Sequence, residues 1–378
     1  MKRLLLTYLT MALLLGGSIP AASAVQPSPK PQEPPTEIYK ISGDGRAIKA
    51  VGQMPAMHRA AISPSGRYVY GEKIGFSKQD ATVPYLYDLQ TKKLVKLPGF
   101  AKWSPRKDLL YMLENEQLVL FEPATGKKKV LVHASAAYPI TDFLVAPDEE
   151  YLAFIRKDLK GTDEQVRYHL YLQHVPTLKM KINDRFAMTP SYSRDVQSLY
   201  WMPTSRKLFY KTNAAYKELD LPTGLKYEHK LSAFPSYSSD MKYKYVRTQN
   251  EEYFLDLQTG KKVMQQKQSQ LPIMEQFIDK IVWSPKGHAF AAEWFFRPSN
   301  AQDSYMMIRY QKEPSSFLYP FGGIGENKWS PYLSAIDNIR VIGWSQDGKS
   351  VYVADLASMY YSAFSPDKLN EYRHVVEQ

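Results

Sequence analysis

The sequence contains few side chains whose type and spacing could support catalysis or metal binding. There is no cysteine, which excludes disulfides, Cys-ligated zinc or iron–sulfur sites and a thiol nucleophile. The closest histidine pair, His169 and His174, has the odd spacing that places two strand residues on opposite faces, a poor arrangement for shared metal ligation. We therefore predict no metal site.

Motifs of the common catalytic and cofactor-binding classes are also missing from the sequence. There is no G-x-S-x-G nucleophile turn and no H-E-x-x-H zinc motif. The glycine-rich run Gly322-Gly323-Ile324-Gly325 lacks the Lys-Ser/Thr that completes a phosphate-binding loop. We predict no catalytic residues and no cofactor, although carboxylates from distant segments could still meet in a folded chain.

Aromatic and arginine side chains are better candidates for ligand contacts. Trp294, Phe296 and Arg297 lead into the polar segment 299–304, and such residues bind sugars or peptides by ring stacking and charge-assisted hydrogen bonds. The competing interpretation is that these alternating aromatics simply fill a core between strands.

Long connections provide the other candidate binding residues. Four connections are longer than the shortest connections of the repeats described below: 73–82, 156–167, 183–197 and 321–338. Arg156 opens the second, and Trp329 and Tyr332 lie in the fourth. Because loops carry binding functions more often than packed strands do, we predict these three residues as binding residues.

A repeated turn motif organises the rest of the chain. Seven segments combine an apolar stretch, a turn built on Ser-Pro or a variant, and a β-rich stretch, at an average spacing of about 47 residues. They are AAISPSGRYVYG (60–71), FAKWSPRKDLLYM (100–112), DFLVAPDEEYLAFI (142–155), LYWMPTSRKLFYK (199–211), FPSYSSDMKYKYVRT (234–248), IVWSPKGHAFAAE (281–293) and VIGWSQDGKSVYVAD (341–355).

A second motif alternates with the first and predicts a hairpin. It is typified by YFLDLQTGKKVMQQ at 253–266, in which Asp-x-x-Thr-Gly forms a turn whose glycine can adopt a positive φ. A further copy, EIYKISGDGRAIKAV at 37–51, precedes the first Ser-Pro segment. Two hairpins per repeat make a four-stranded antiparallel sheet, and repetition of such sheets around a ring is a β-propeller.

The turns at Trp103-Ser104-Pro105, Trp283-Ser284-Pro285-Lys286-Gly287 and Trp344-Ser345-Gln346-Asp347-Gly348 resemble the W-S-P-D-G signature of TolB-like, WD40-like (PD40-type) propeller repeats. The resemblance covers about residues 37–375 and implies a scaffold or binding role. We predict an all-β fold, a single β-propeller with seven four-stranded blades, six or eight being the alternatives. The N-terminal hairpin is expected to join the last blade and close the ring.

The N-terminus reads as an export signal. Lys2 and Arg3 precede an apolar stretch, and Ala22-Ser23-Ala24 offers the small residues of a signal peptidase site, so we predict cleavage near Ala24. The apolar run is too short to span a bilayer, although a retained N-terminal anchor is the alternative. The predicted organisation is a signal peptide at 1–24, a proline-rich linker at 25–36 and a propeller domain at 37–378, in a secreted or extracytoplasmic protein.

Positive charge recurs at equivalent hairpin positions. The chain has 49 Lys+Arg against 38 Asp+Glu, and Lys92-Lys93, Lys127-Lys128-Lys129 and Lys261-Lys262 each follow the turn of the second motif. Lysines there protect exposed strands from edge-to-edge pairing, or alternatively bind an anionic cell-wall polymer. Nucleic acid is not expected as a partner of an exported protein.

These observations favour a non-catalytic binding or scaffold module. The expected partner is a protein, peptide or glycan at the cell envelope, and we expect a monomer without a stable membrane span. The alternatives are a propeller enzyme, of the glycan hydrolase or lyase type, whose carboxylates converge in the central channel, and the charge-driven polymer binder.

Overall fold

A computed structural model describes most of the repeat region, all of it within one compact unit, Pro34–Gln378. The described residues are 35–42, 48–73, 82–159, 167–187, 198–213, 215–229, 234–248, 251–267, 274–298, 305–311 and 339–356. At 48, 264–267, 274–280, 292–298, 305–311, 339 and 355 the description covers the backbone alone. These residues form 27 β-strands and no helix, which confirms the all-β prediction.

The chain begins its sheets with the two strands β1 (Thr36–Ser42) and β2 (Ile48–Met54). Five four-stranded antiparallel blades follow, each made of four consecutive strands. Blade 1 comprises β3 (Arg59–Ile62), β4 (Tyr68–Lys73), β5 (Val83–Asp88) and β6 (Leu94–Lys96). Blade 2 comprises β7 (Ala101–Trp103), β8 (Leu110–Glu114), β9 (Gln117–Phe121) and β10 (Lys128–Val132). Blade 3 comprises β11 (Ile140–Val145), β12 (Tyr151–Asp158), β13 (Arg167–His174) and β14 (Met180–Ala187).

The remaining sheets continue the same order along the chain. Blade 4 comprises β15 (Leu199–Trp201), β16 (Lys207–Lys211), β17 (Tyr216–Asp220) and β18 (Lys226–His229). Blade 5 comprises β19 (Ser236–Tyr237), β20 (Tyr243–Arg247), β21 (Glu251–Asp256) and β22 (Lys262–Lys267). A three-stranded sheet contains β23 (Met274–Trp283), β24 (Phe290–Pro298) and β25 (Tyr305–Gln311). The last strands are β26 (Ile339–Trp344) and β27 (Ser350–Asp355).

Strands from the two ends of the chain share one blade. The sheet order is β26, β27, β1, β2, with Ile38 opposite Ala354 and Ser42 opposite Ser350. This closing blade confirms the prediction that the N-terminal hairpin completes the last blade. Across the described residues there are thus six four-stranded blades, a number among the predicted alternatives, and the three-stranded sheet occupies a seventh position in the ring.

Neighbouring sheets pack face to face all the way around the ring. Six of the contacts contain a cluster of buried apolar side chains, for example Phe143 with Leu118 between blades 3 and 2, and Ile38 with Val69 between the closing blade and blade 1. At the seventh, the backbone N–H of Tyr237 donates to Tyr200 Oη at 3.2 Å, which joins blades 5 and 4. Burial of each such apolar side chain contributes about 1.5–3 kcal/mol, so the ring is stabilised chiefly by these faces.

The tryptophan of the repeat motif links each sheet that carries it to the preceding one. The indole N–H of Trp103 donates to Ala61 O at 2.9 Å, and Trp201 donates to Leu144 O at 3.1 Å. The tryptophans of the last two sheets repeat this contact, Trp283 with Ser236 Oγ at 2.7 Å and Trp344 with Val282 O at 2.9 Å. In each case the acceptor residue lies in the preceding sheet, one position before the residue that occupies the tryptophan position of that sheet's motif. The motif therefore specifies a contact between neighbouring sheets as well as a turn.

Burial identifies the outer edge of each blade. Strands β6 and β18 are exposed along nearly their whole length, whereas β4 and β12 are buried on both faces. The first strand of each blade therefore lies toward the ring axis and the fourth lies at the outside, as in propellers generally.

Candidate functional site

The two ends of the ring have different connections. In an antiparallel blade the first and third strands run in the same direction, so the turns that follow them emerge at the same end. Both repeat motifs therefore place their tight turns there, and we call it the turn end. The opposite end, the connection end, receives the links from second to third strands and from one blade to the next. The strand ends that bound segments 73–82, 156–167 and 183–197 all lie at the connection end.

At the turn end, neighbouring Ser-Pro-type turns bond directly to one another. The backbone N–H of Ser65 donates to Asp108 Oδ1 at 3.0 Å, and Lys107 Nζ lies 3.2 Å from Glu149 Oε2. The N–H of Asp148 donates to Ser205 Oγ at 3.0 Å. Contacts of this kind join the innermost turns of blades 1 to 4 to one another.

Arg156 lies near the end of β12, at the connection end. It stands opposite His169 of β13, which stands opposite Arg185 of β14. Three cationic or titratable side chains thus form a row across blade 3, on the face that packs against blade 2.

The guanidinium of Arg156 holds the link between blades 2 and 3. Nη2 donates to His133 O at 2.9 Å and Nη1 to Tyr138 O at 3.3 Å, while the buried Nε has no partner among the described residues. Its Cζ lies 5.6 Å from the ring centroids of both Phe154 and Tyr171. Burial lowers the pKa of Arg156 below its usual range, and the residue is only 8% exposed.

His169 is the second buried member of this row. Its ring stacks on Tyr138 at 5.6 Å between centroids, and its Nε2 lies 3.8 Å from Asp158 Oδ2. Burial lowers the pKa of His169; Asp158 opposes that shift, and the positive charge of Arg185 adds to it. At neutral pH the imidazole is therefore uncharged and available for hydrogen bonding or stacking.

The accessible part of the cluster is formed by Arg185, which is exposed, and Tyr138, which is half-buried. An arginine beside an aromatic ring suits a carboxylate, a phosphate or a sugar hydroxyl, because the guanidinium offers several fixed donors and the ring offers a stacking face. Arg156 and His169 are buried, and both contact Tyr138, Arg156 at its carbonyl oxygen and His169 at its ring. The sequence singled out Arg156, considered His169 only as a metal ligand, and missed Tyr138 and Arg185. Strand pairing aligns Arg156, His169 and Arg185, and ring stacking adds Tyr138.

The other candidate binding residues lie elsewhere on the chain. Trp294, Phe296 and Arg297 are on β24, paired with Ile278, Gln276 and Glu275 of β23, and their side chains are outside the description. Because β24 is a second strand, they lie toward the same end of the ring as Arg156, on a different sheet. Trp329 and Tyr332 fall outside the described residues.

A second polar cluster lies between blades 4 and 5 and was not predicted. Glu218, only 7% exposed, accepts hydrogen bonds from Lys207 Nζ at 2.5 Å and pairs with His229 Nε2 at 2.8 Å. Lys244 of blade 5 faces it, and burial lowers the pKa of this lysine. In the sequence, Glu218 is simply a charged residue in a strand where apolar and polar residues alternate. That pattern does not show whether such a charged side chain is buried or exposed.

Three aspartates in the turns of the second motif are held by hydrogen bonds within those turns or to a neighbouring strand. Hydrogen bonds from Arg67 hold the pKa of Asp88 far below its usual value, and hydrogen bonds from Thr223 and Thr259 lower the pKa values of Asp220 and Asp256. Such carboxyls are ionised at neutral pH and unsuited to act as general acids. Among the residues that the structure describes, no group of three His, Asp or Glu side chains could hold a metal ion.

Comparisons with known proteins identify similar folds only. No protein-family model matches the chain, and no curated protein matches it. Solved structures that are similar include a putative TolB from Agrobacterium tumefaciens, 13% identical with a TM-score of 0.41, covering 85% of this chain and 97% of that chain. TolB from Acinetobacter baumannii is 15% identical with a TM-score of 0.35, covering 76% and 79%.

An oligogalacturonate lyase in complex with manganese is also similar, with 10% identity and a TM-score of 0.46, covering 87% of this chain and 98% of that chain. TolB propellers are thus among the similar structures, as the repeat motif indicated. At these identities no ligand or activity is carried over to this chain, and its propeller assignment rests on its own strand order.

Proposed function

We propose that this protein is a non-catalytic binding or scaffold module of the cell envelope that binds a protein, peptide or glycan at the connection end of its ring. The observation that carries the proposal is the difference between the two ends. Tight turns are bonded to one another at the turn end, whereas long connections and the cluster of Arg156, His169, Tyr138 and Arg185 lie at the connection end.

The N-terminal sequence supports a location outside the cytoplasm. A basic start, an apolar stretch and Ala22-Ser23-Ala24 form the pattern of an export signal. No helix in the described part of the chain is long and apolar enough to cross a membrane.

The aspartates with shifted pKa values favour the binding interpretation over the hydrolase form of the enzyme alternative. Hydrolysis of a glycan requires a carboxylic acid that stays protonated near neutral pH, and hence a raised pKa. Asp88, Asp184, Asp220, Asp240, Asp256 and Asp347 have lowered pKa values instead.

The test compares variants at the two ends of the ring. The full chain, immobilised, is incubated with detergent-solubilised envelope extract, and the retained components are quantified. The double variant Tyr138→Ala/Arg185→Glu removes the accessible aromatic and reverses the accessible charge at the connection end. We expect the component that the unchanged protein retains most strongly to be retained at least about tenfold less by this variant. A loss of this size corresponds to one charged hydrogen bond and one stacked ring.

A matched control changes the same residue types at the turn end. Arg106 is exposed there and Tyr151, at the start of β12, is half-buried as Tyr138 is, so Arg106→Glu/Tyr151→Ala should retain the component at the level of the unchanged protein. If the control variant lost retention and the connection-end variant did not, the binding surface would lie at the turn end and the proposal would be overturned. Circular dichroism of each variant establishes that the β-rich fold is intact.

A further inference from the structure

The hairpins between third and fourth strands of blades 1 to 5 carry an unusual combination of exposed side chains. We call residues 91–96, 125–130, 177–182, 223–227 and 257–262 the hairpin rim. Nine large apolar side chains there are exposed by 37% to 53%: Leu94, Val95, Val130, Leu178, Met180, Ile182, Leu225, Tyr227 and Leu257. Eleven exposed lysines accompany them: Lys92, Lys93, Lys96, Lys127, Lys128, Lys129, Lys179, Lys181, Lys226, Lys261 and Lys262.

All five hairpins emerge at the turn end, because each follows a third strand. Their tips occupy equivalent positions in successive blades, and equivalent positions of a ring lie at one level along its axis. The rim therefore presents its tips together toward a flat partner.

Most of the rim lysines form no ion pair within the part of the chain that the structure describes. Lys128, Lys226 and Lys262 pair with Glu114, Asp184 and Glu251 respectively. The other eight rim lysines have no ion-pair partner among the described residues. Such a surface attracts an anionic partner.

The apolar residues decide between the possible anionic partners. The lysines by themselves could serve only to keep the exposed outer strands from pairing with strands of other molecules. Exposed apolar side chains such as Leu178, Met180 and Leu225 would instead promote such association. A hydrated polymer gains little from apolar side chains, whereas the boundary between lipid headgroups and acyl chains accommodates them beside lysine.

We propose that the hairpin rim seats the protein on an anionic lipid bilayer, with lysines on the headgroups and the apolar tips at the boundary of the acyl chains. This inference goes beyond ligand binding at the connection end and is independent of it. The two surfaces lie at opposite ends of the ring, so a membrane-seated protein keeps its connection end facing away from the lipid.

The experiment is co-sedimentation of the full chain with vesicles of phosphatidylcholine alone or with about a third phosphatidylglycerol. All variants keep residues 1–24, so any contribution of that apolar segment is common to every comparison. Binding to the anionic vesicles should exceed binding to the neutral ones and weaken as salt is raised. Lys93→Gln/Lys127→Gln/Lys261→Gln should reduce partitioning about a hundredfold, since each lysine near an anionic surface contributes about a fivefold effect.

A charge-matched control removes three cations from the connection end. Lys157→Gln/Arg167→Gln/Lys211→Gln lowers the net charge equally and should leave partitioning within about twofold of the unchanged protein, because charges beyond a Debye length are screened. Equal loss in both triple variants would mean that net charge alone drives the association, and the rim proposal would be wrong.

A second variant separates a bilayer from a polymer. Leu178→Ser/Leu225→Ser should lower vesicle partitioning at least about tenfold, because two leucine side chains leave the apolar boundary. The same variant should bind soluble dextran sulfate as the unchanged protein does. If the leucine variant partitions normally while the lysine variant does not, the partner is an anionic polymer surface and the bilayer proposal is overturned.

Discussion

Asp184 on β14 illustrates how single charged residues join neighbouring blades. Its carboxylate accepts a hydrogen bond from Tyr210 Oη at 2.5 Å and from Lys226 Nζ at 2.8 Å, and Lys217 Nζ lies at 3.2 Å. All three partners belong to blade 4. Burial alone would raise the pKa of Asp184, but the hydrogen bonds and the two positive charges outweigh it and hold the pKa below the usual value.

The lowered pKa of Asp184 predicts a pH-dependent contribution to stability. A carboxyl that is more acidic in the folded chain stabilises the fold above its unfolded pKa of about 4 and loses this effect as pH falls through the folded value. Asp184→Asn should lower the free energy of unfolding by about 1–2 kcal/mol at neutral pH. Urea denaturation should show that the deficit persists at about pH 5 and shrinks below about pH 4.

The exposed carboxyl of Glu116 provides the comparison for this prediction. Glu116→Gln in the turn between β8 and β9 should change stability by no more than a few tenths of a kcal/mol at any of these pH values. A deficit of Asp184→Asn that grows as the pH is lowered would contradict the assigned charge state.

The fourth residue of the Ser-Pro-type turn is the main determinant of structure at the scale of the element. It adopts a positive φ in six of the seven described turns. Three of these positions are glycine, namely Gly66, Gly287 and Gly348, and three are the non-glycine residues Glu149, Ser205 and Met241. The segments that depart from the W-S-P-D-G pattern thus form the same turn at a conformational cost of about 1 kcal/mol.

Met241→Gly should therefore stabilise the protein. Its φ of 60° is left-handed, and glycine adopts that conformation without the steric penalty of a Cβ atom. We expect the free energy of unfolding to rise by about 0.5–1 kcal/mol, measured as an increase in the urea midpoint at an unchanged slope.

The corresponding position of blade 2 offers a matched control. Lys107 is not left-handed, so Lys107→Gly should destabilise the protein relative to Lys107→Ala, because glycine only adds freedom to the unfolded chain there. Stabilisation by glycine at both positions would show that the backbone conformation is not the cause.

Closure of the ring is the dominant feature of the whole molecule. Residues 36–54 and 339–355 contribute two strands each to the closing blade, and β1 pairs with β27 over five residues. With no cysteine in the chain, this pairing and the apolar contacts of the closing blade hold the two chain ends together. The cooperativity of the ring thus depends on a non-covalent closure.

A disulfide across the closing blade should strengthen that closure. Ser42 and Ser350 are direct partners in antiparallel strands, at a separation that suits a disulfide. Ser42→Cys/Ser350→Cys should crosslink under oxidation and raise the free energy of unfolding by about 2–5 kcal/mol, because it closes a loop of about 300 residues in the unfolded state.

The reduced form of the same variant is the control, since it differs only in the crosslink. No other cysteine competes for pairing, so a free-thiol assay reports the crosslink directly. If the variant kept both free thiols after treatment with an oxidant, these two strands would not be neighbours.

The sequence by itself determined the local and periodic features of this protein. The Ser-Pro-type turns, the Asp-x-x-Thr-Gly hairpins and their spacing predicted the all-β propeller, and the unmatched hairpin at 37–51 predicted the closing blade. These features depend on residues that are close in sequence, where turn chemistry and strand alternation act directly.

Only the tertiary structure decided which side chains meet between blades. The alternation of side chains along a strand assigns Arg156 or Asp184 to one face of its strand. The residues that contact that face belong to another hairpin or another blade. Gln346 reaches Arg106 O at 3.2 Å across 240 positions of sequence, and no local pattern encodes such a contact. The candidate site combines both levels: strand register within blade 3 aligns Arg156, His169 and Arg185, and packing of the link from blade 2 brings Tyr138 onto His169. Contacts between sheets depend on the register and packing of whole blades, which the spacing of residues along the chain does not specify.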